Sequence, residues 1–384
     1  LFKFMISENN KNSNIIRLSK SVIDKAEQDA VLEVLKNGYL GMGKKVKEFE
    51  HDLSLMMKRD VACVSSGTSA LHLSLQACGI GKGDEVLVQS ITYLASFQAI
   101  ASCGATPKAC DINLSSLNID LNDAKKRITR KTKAIMPVHY AGDPGEIKKV
   151  YKFAKDYNLR VIEDAAHAFG SKVNGEYIGS FGDIVCFSFD GIKNITSGEG
   201  GCVVTDDISV LNKIKDARVL GVKEDSELRF KGKRKWEFEV SEQGWRYHMS
   251  DIMAAIGITQ LKKLDLLGEI RQSLAKRYDS KLQKIKDITF FKRDYDSIIP
   301  HIYPIKIPSY SDRKSFIEYM ENKNIQIGIH YKPNHLLEYF REIDSEPLLN
   351  TENIYKNLIT LPLHPDLKFN DLDFIIENIK NYKF

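Results

Sequence analysis

Lys193 stands in the segment Phe187-Ser-Phe-Asp-Gly-Ile-Lys-Asn194, between an apolar run and the glycine-rich turn Gly198-Glu-Gly-Gly201. A lysine in so tight and partly apolar a setting loses its proton to desolvation, and the free amine can then form a Schiff base. Taken alone it reads as an ordinary solvated lysine, and the glycine turn is a weak signal. Upstream, the run Arg160-Val-Ile ends in Glu163-Asp-Ala-Ala-His167. An acid at that depth needs a partner. A protonated ring nitrogen is one, and the carboxylate of Asp164 would hold such a ring as a pyridinium, an electron sink. Ala165 and Ala166 are small enough for a flat ring to lie against them. An isolated acid after a strand is more often a cap or a metal ligand, so Asp164 takes its meaning from its company.

That company includes an anion seat. Ser65-Ser-Gly-Thr-Ser69 separates an apolar run from the helical pattern Ala70 to Ala77. Small residues let backbone N–H groups approach a phosphate, a helix start adds a favourable dipole, and Thr68 or Ser69 can donate a hydroxyl. The same serines also read as an ordinary helix cap. Ser188 can hold a further phosphate oxygen. In Ser90-Ile-Thr-Tyr93 the aromatic side chain can stack on a ring opposite the alanines, or fill the core as tyrosines routinely do.

These segments all follow short apolar runs. Seven such runs are expected as strands: Val61 to Val64, Val86 to Gln89, Pro107 to Cys110, Ala134 to Val138, Arg160 to Glu163, Ile184 to Phe189 and Cys202 to Thr205. Runs this short and apolar suit strands buried on both faces, and the helical patterns between several of them imply right-handed crossovers in a mainly parallel sheet. The last two, joined by the glycine turn, are expected to pair differently. Ligands of such sheets collect at the carboxyl ends of the strands, where the polar segments stand. Helices are expected over Lys20 to Lys36, ended by Gly38, and over Ser250 to Leu282 in one or two pieces with Ser250 as N-cap. A strand at His301 to Ile307 and helices at Ser311 to Lys323 and Asn370 to Tyr382 predict an α+β unit. The fold class is therefore α/β, with a large domain over residues 1–265, including the N-terminal helical segment, and a smaller C-terminal one over 266–384.

Composition narrows the function. A chain of 384 residues, 43% hydrophobic and 28% charged, is globular. Its formal charge of +5 is spread over 56 basic and 51 acidic residues. The densest cluster, Lys223 to Lys235, is diluted by acids, so nucleic acid is not an expected partner; a solvated loop is the plain reading, attraction of a phosphorylated small molecule the other. The six cysteines are scattered without a C-x-x-C pair and read as reduced core thiols. No run approaches a membrane span, and the polar stretch Ser7 to Ser13 is not a signal peptide, so a cytoplasmic location and no membrane partner are expected.

In order, the segments Ser66-Gly-Thr-Ser-Ala70, Glu163 to His167, Phe187-Ser-Phe with Lys193-Asn, Gly198 to Gly201 and Tyr247-His-Met-Ser-Asp-Ile252 followed by Ala254-Ala-Ile-Gly257 resemble the DegT/DnrJ/EryC1/StrS sugar aminotransferases. These are fold-type-I enzymes of pyridoxal 5'-phosphate (PLP), within the aspartate aminotransferase superfamily. The likeness runs from about Leu35 to the end. It implies that Lys193 is the catalytic, Schiff-base lysine, that Asp164 pairs with the pyridinium nitrogen, and that Ser188, Gly67 and Thr68, with Ser69, hold the phosphate. His167 falls near the cofactor's phenolic oxygen, where many members have glutamine, and Tyr93 over the ring. Arg246 stands where members have an asparagine that reaches the neighbouring subunit's phosphate, which implies a homodimer with shared sites. Tyr39, His330 and Tyr331 are expected to meet the sugar. Asp190, where members often have histidine, either touches substrate or turns the chain. No metal is expected: His330, Tyr331 and His335 fit no compact site.

The resemblance implies transfer of an amino group from glutamate, through the pyridoxamine form, to a keto-sugar linked to a nucleotide. First choice is a dTDP-linked 4-keto-6-deoxyhexose, feeding O-antigen or other glycan synthesis, because Pro137-Val-His-Tyr-Ala-Gly142, His167 and the Tyr247 segment look most like members acting there; 3-keto sugars stay open. A dehydratase branch carries histidine in place of the lysine, a non-catalytic regulator would be expected to lose the lysine or the acid, and a nucleotide-dependent oxidoreductase would want a Gly-x-Gly-x-x-Gly turn that is absent.

Overall fold

The computed structural model describes residues 15–234, 236–240, 242–308, 312–341 and 346–384. Ser7 to Ser13, Lys235 and Ser311 lie outside the described residues. All seven apolar runs are strands: β1 Val61–Val64, β2 Glu85–Gln89, β3 Thr106–Cys110, β4 Thr132–Met136, β5 Arg160–Asp164 and, past a hairpin of β6 (Lys172–Val173) and β7 (Glu176–Tyr177), β8 Ile184–Ser188 and β9 Gly201–Thr205. They form one sheet in the order β1-β9-β8-β5-β4-β2-β3. Neighbours from β8 to β3 run parallel, whereas β9 is antiparallel to both β8 and β1. The expected difference in the last two runs is this reversal, made through the turn that carries Lys193.

Every residue of β1, β8 and β9 is buried, because helices cover both faces of the sheet. On one face lie α3 (Gly67–Ala77), α4 (Leu94–Ser102) and α7 (Ile208–Ala217). On the other lie α2 (Lys44–Met57), α5 (Leu121–Arg127), α6 (Ile147–Asp156) and α9 (Asp251–Leu261), with α8 (Asp225–Phe230) beside α2. Helix α1 (Lys25–Asn37) packs on α9 outside these layers. It begins later than Lys20 because Asp24 and Glu27 close a capping box there, and it ends at Gly38, whose φ of 73° suits glycine. Ser250 caps α9 by accepting from Met253 N.

Helix α10 (Leu264–Leu282) leads to a second sheet, β10 (Thr289–Phe290), β11 (Tyr303–Lys306) and β12 (Leu358–Leu361), antiparallel throughout. With α11 (Arg313–Asn322) and α14 (Phe369–Asn381) it encloses a core around Tyr278, Tyr303, Phe316, Ile359 and Ile375. Two short helices, α12 (Glu338–Arg341) and α13 (Leu349–Asn357), return to the large sheet. There the Asp111 carboxylate, just past β3, accepts from Asn350 N and Thr351 N and caps α13. Asn334 donates to the carbonyls of Ser90 and Thr92, and Ser90 Oγ lies 2.7 Å from His335 Nδ1. These bonds bring the 330–336 segment over the carboxyl end of β2. Among the described residues no helix is long and apolar enough to cross a membrane.

Candidate active site

The carboxyl ends of β1, β2, β5 and β8 open into a cavity of about 370 Å³. Of the residues singled out from sequence, Gly67, Thr68, Tyr93, Asp164, His167, Ser188, Asp190, Lys193, His330 and Tyr331 all line it. Ser69, Tyr39 and Arg246 do not. The Ser69 hydroxyl is spent on its own helix: it donates to Ser66 O at 2.8 Å, accepts from Ser66 N at 2.9 Å and is buried. The capping box with Ser66 explains why α3 starts at Gly67 and not at Ala70, and it corrects the reading of Ser69 as a free phosphate donor. Tyr39 donates to Met42 O, and Arg246 is exposed beside Val219.

Strand alternation decides which of the two acids faces the cavity. Glu163 points into the other layer, where Tyr151 donates to it and His139 Nε2 lies 2.8 Å from its carboxylate. Asp164 faces the cavity, held by Ser96 Oγ at 2.6 Å and Ala166 N at 3.2 Å. Among the described residues no cationic side chain pairs with it, although it is only 5% exposed. A buried carboxylate held in place by hydroxyl and amide donors and lacking a counter-cation is the environment that a pyridinium nitrogen completes.

The anion seat is equally built. A Cβ on Gly67 would come within 2.7 Å of Ser188 Cβ, and one on Gly201 within 2.6 Å of the Ser66 backbone. Glycine at these two positions lets the ends of β1, β8 and β9 converge, so that Thr68 at the start of α3 and Ser188 share one cavity wall. The residues present therefore fit PLP at both its ends.

Lys193 sits in the reversal between β8 and β9. Its N–H bonds Asp190 O, and the next residue, Asn194, donates to the carbonyls of His167, Phe169 and Ile299. Burial lowers the pKa of the Lys193 amine, with Asp190 and Asp164 acting in the opposite direction. The Asp190 carboxylate accepts from Ile192 N, so it turns the chain, and it also lines the cavity. His167 Nδ1 accepts from Ala141 N, which leaves Nε2 to donate to Tyr331 Oη, 3.0 Å away. Burial, followed by the nearby Lys193, pushes the His167 pKa well below the usual histidine range, so the ring is neutral.

Sequence reasoning missed His301, which lines the same cavity just ahead of β11 with Nε2 3.5 Å from Lys193 Nζ. Its ring packs against that of His167 at 4.4 Å between centroids, tilted by 42°. Arg271 of α10, fully buried, donates to the carbonyls of His301, Leu363, Ile192 and Lys193. His301 sits at the head of a strand-like run, and a single histidine there gives no periodic signal of a site.

The sheet order, the lysine in the reversal and the buried acid without a counter-cation define a PLP enzyme of fold type I. The model of the DegT/DnrJ/EryC1/StrS aminotransferase family matches residues 21–380, and the chain belongs to that family. It is 33% identical over 380 residues to the spore coat polysaccharide biosynthesis protein SpsC of Bacillus subtilis, with 97% of this chain and 98% of that one covered. Among solved structures, the PLP form of the putative sugar aminotransferase Spr1654 of Streptococcus pneumoniae superposes with a TM-score of 0.88 at 30% identity, covering 96% of this chain and 98% of that one. Its PMP form superposes equally well. Helicobacter pylori PseC, an aminotransferase involved in the biosynthesis of pseudoaminic acid, gives the same score, identity and coverage. The chain is a PLP-dependent nucleotide-sugar aminotransferase.

Proposed function

We propose that the chain transfers the amino group of glutamate to C4 of a dTDP-linked 4-keto-6-deoxyhexose, supplying a 4-amino-4,6-dideoxy sugar for a surface glycan. The observation that carries the aminotransferase assignment to particular residues is the Lys193 amine facing the same cavity as the unpaired Asp164 carboxylate. The glycan setting is supported by SpsC and PseC, whose names place those relatives in polysaccharide and pseudoaminic acid synthesis. PLP, when bound, supplies the electron sink that makes a carbon next to nitrogen acidic.

Lys193 holds the cofactor at rest and, once displaced, is the free amine that takes a proton from one carbon and returns it to another. Burial keeps that amine ready to accept. Asp164 keeps the ring nitrogen protonated, while Thr68, Ser188 and the Gly67 backbone anchor the phosphate. Tyr93, 59% exposed at the mouth and 5.7 Å from the Tyr331 ring, would cover one face of the cofactor ring. Arg246, exposed in the single chain, serves the partner's phosphate in a homodimer. Tyr39 is a further contact for the sugar. The division at residue 265 puts the phosphate seat in one domain and the sugar-facing His330 and Tyr331 in the other.

Incubation with glutamate and dTDP-, UDP- and GDP-linked 3- and 4-keto-sugars, read by the mass of the aminated product, tests the substrate. Conversion of the dTDP 4-keto sugar is expected, and failure of all would remove the sugar assignment. Borohydride should fix the label on Lys193 whichever sugar reacts.

A further inference from the structure

Three imidazoles, His167, His301 and His330, line the cavity, and two of them are committed to protein partners. His167 uses both ring nitrogens, on Ala141 N and Tyr331 Oη, and His330 Nδ1 lies 2.9 Å from Thr360 Oγ1. His301 differs. Its Nδ1 is buried with no hydrogen-bond partner among the described residues, and its Nε2 faces Lys193 Nζ. Among the described residues no group fixes its tautomer, so the ring can offer a lone pair or a hydrogen at Nε2 as Lys193 requires.

We propose that His301 is the hydrogen-bond partner of the free Lys193 amine, so that the proton Lys193 carries during amino transfer is shared between Nζ and His301 Nε2. The inference rests on the PLP-aminotransferase reading but not on which sugar is the substrate. When Lys193 takes a proton from a substrate carbon it becomes an ammonium in a cavity that disfavours charge. Around it stand Asp164 from β5, Asp190 and Glu199 from the reversal between β8 and β9, Arg271 from α10, and His167, His330 and Tyr331. Asp164 is to be taken by the ring nitrogen and Asp190 is bonded to its own turn. Arg271 repels the new charge. His301 Nε2 is then the acceptor at hand.

The imidazole need not ionise. Burial first, and then Lys193, His167, Arg271 and His330, hold its pKa well below the usual value. It accepts the ammonium N–H, and the proton leaves again from Nζ to the receiving carbon, with no net change at His301. Arg271 donates to the backbone carbonyls of both residues and so keeps the pair in register.

The test uses the pyridoxamine-phosphate form of the enzyme, in which Lys193 is free. Reductive methylation with formaldehyde across a pH series, read by peptide mass at Lys193, gives the midpoint at which the amine becomes reactive. His301→Leu removes the acceptor and is expected to move that midpoint down by about one pH unit, since a hydrogen bond to a charged group is worth roughly 1.5–3 kcal/mol. His301→Asn keeps a polar partner and is expected to restore most of the shift. The kcat of His301→Leu is expected to fall about a hundredfold, with its pH profile displaced in the same sense. An unmoved midpoint in His301→Leu, or equal displacement in His301→Leu and His301→Asn, overturns the proposal. No sugar enters the labelling arm, so its failure is distinct from failure of the substrate assignment.

Discussion

At the scale of single residues, the cavity is built from groups that have given up their usual partners. Asp164 lacks a counter-cation, Lys193 is set where burial favours its neutral form, and Gly67 forgoes a side chain. The glycine gives a sharp prediction. In Gly67→Ala the new methyl would meet Ser188 Cβ at 2.7 Å, so Ser188 or the start of α3 must retreat from the phosphate seat. Cofactor affinity should drop by at least about tenfold, a loss of ~1.4 kcal/mol, as measured by titrating the cofactor-free protein with PLP. An unchanged affinity would mean that the phosphate is held elsewhere. Lys193 and Asp164 stood out from the chain only together with the neighbouring segments and through the family resemblance those segments carry, since each alone has a plainer reading. His301 did not, since what gives it a role is a neighbour far away in sequence.

At the scale of elements, the strands of the large sheet were legible to within two residues, because burial on both faces leaves short unbroken runs such as Val61–Val64 and Cys202 to Thr205. Helix α2 was missed although Val46, Phe49, Leu53 and Met57 recur at helical spacing, since charged residues crowd the positions between them. Strand β12 was missed for a different reason: Leu358–Leu361 is only four apolar residues, and only its pairing with β11 makes it a strand. The same long-range logic governs the 330–336 segment, whose place over β2 depends on bonds that no local pattern announces. Asn334→Ala removes both side-chain donations; Ser90 O keeps the Asn334 backbone N–H, whereas the Thr92 carbonyl loses its donor. It should cost about 1–3 kcal/mol of stability and raise the KM for the keto-sugar. The visible spectrum of the bound cofactor should stay as it is, because Lys193 and Asp164 hang from other strands. A changed spectrum with an unchanged KM would contradict this placement.

At the scale of the whole molecule, the buried neutral imidazoles make stability depend on pH. The pKa values of His167 and His301 lie well below the ordinary value, and burial pushes those of His248, His330 and His364 down to about 4. Below about pH 6.5 the unfolded chain takes up protons that the folded chain refuses, so stability should be lost as pH falls toward 4. Each fully buried imidazole contributes up to ~1.4 kcal/mol per pH unit in that window. Urea denaturation at pH 7.5, 6.5 and 5.5 should show little change over the first step and a marked fall over the second. Equal falls over both steps would point to other groups. His301→Leu should flatten the lower part of the curve.

Arg271 joins the carbonyls of Ile192 and Lys193 to those of His301 and Leu363. During synthesis the ribosome releases the lysine and its acid long before the residues that close the other side of this junction. The residues of the phosphate seat therefore emerge first, whereas the junction beside the reactive amine is completed only by residues up to Leu363. A product cut before Leu363 keeps the residues of the cofactor's anchor but lacks one side of the junction through which Arg271 ties His301 to Lys193.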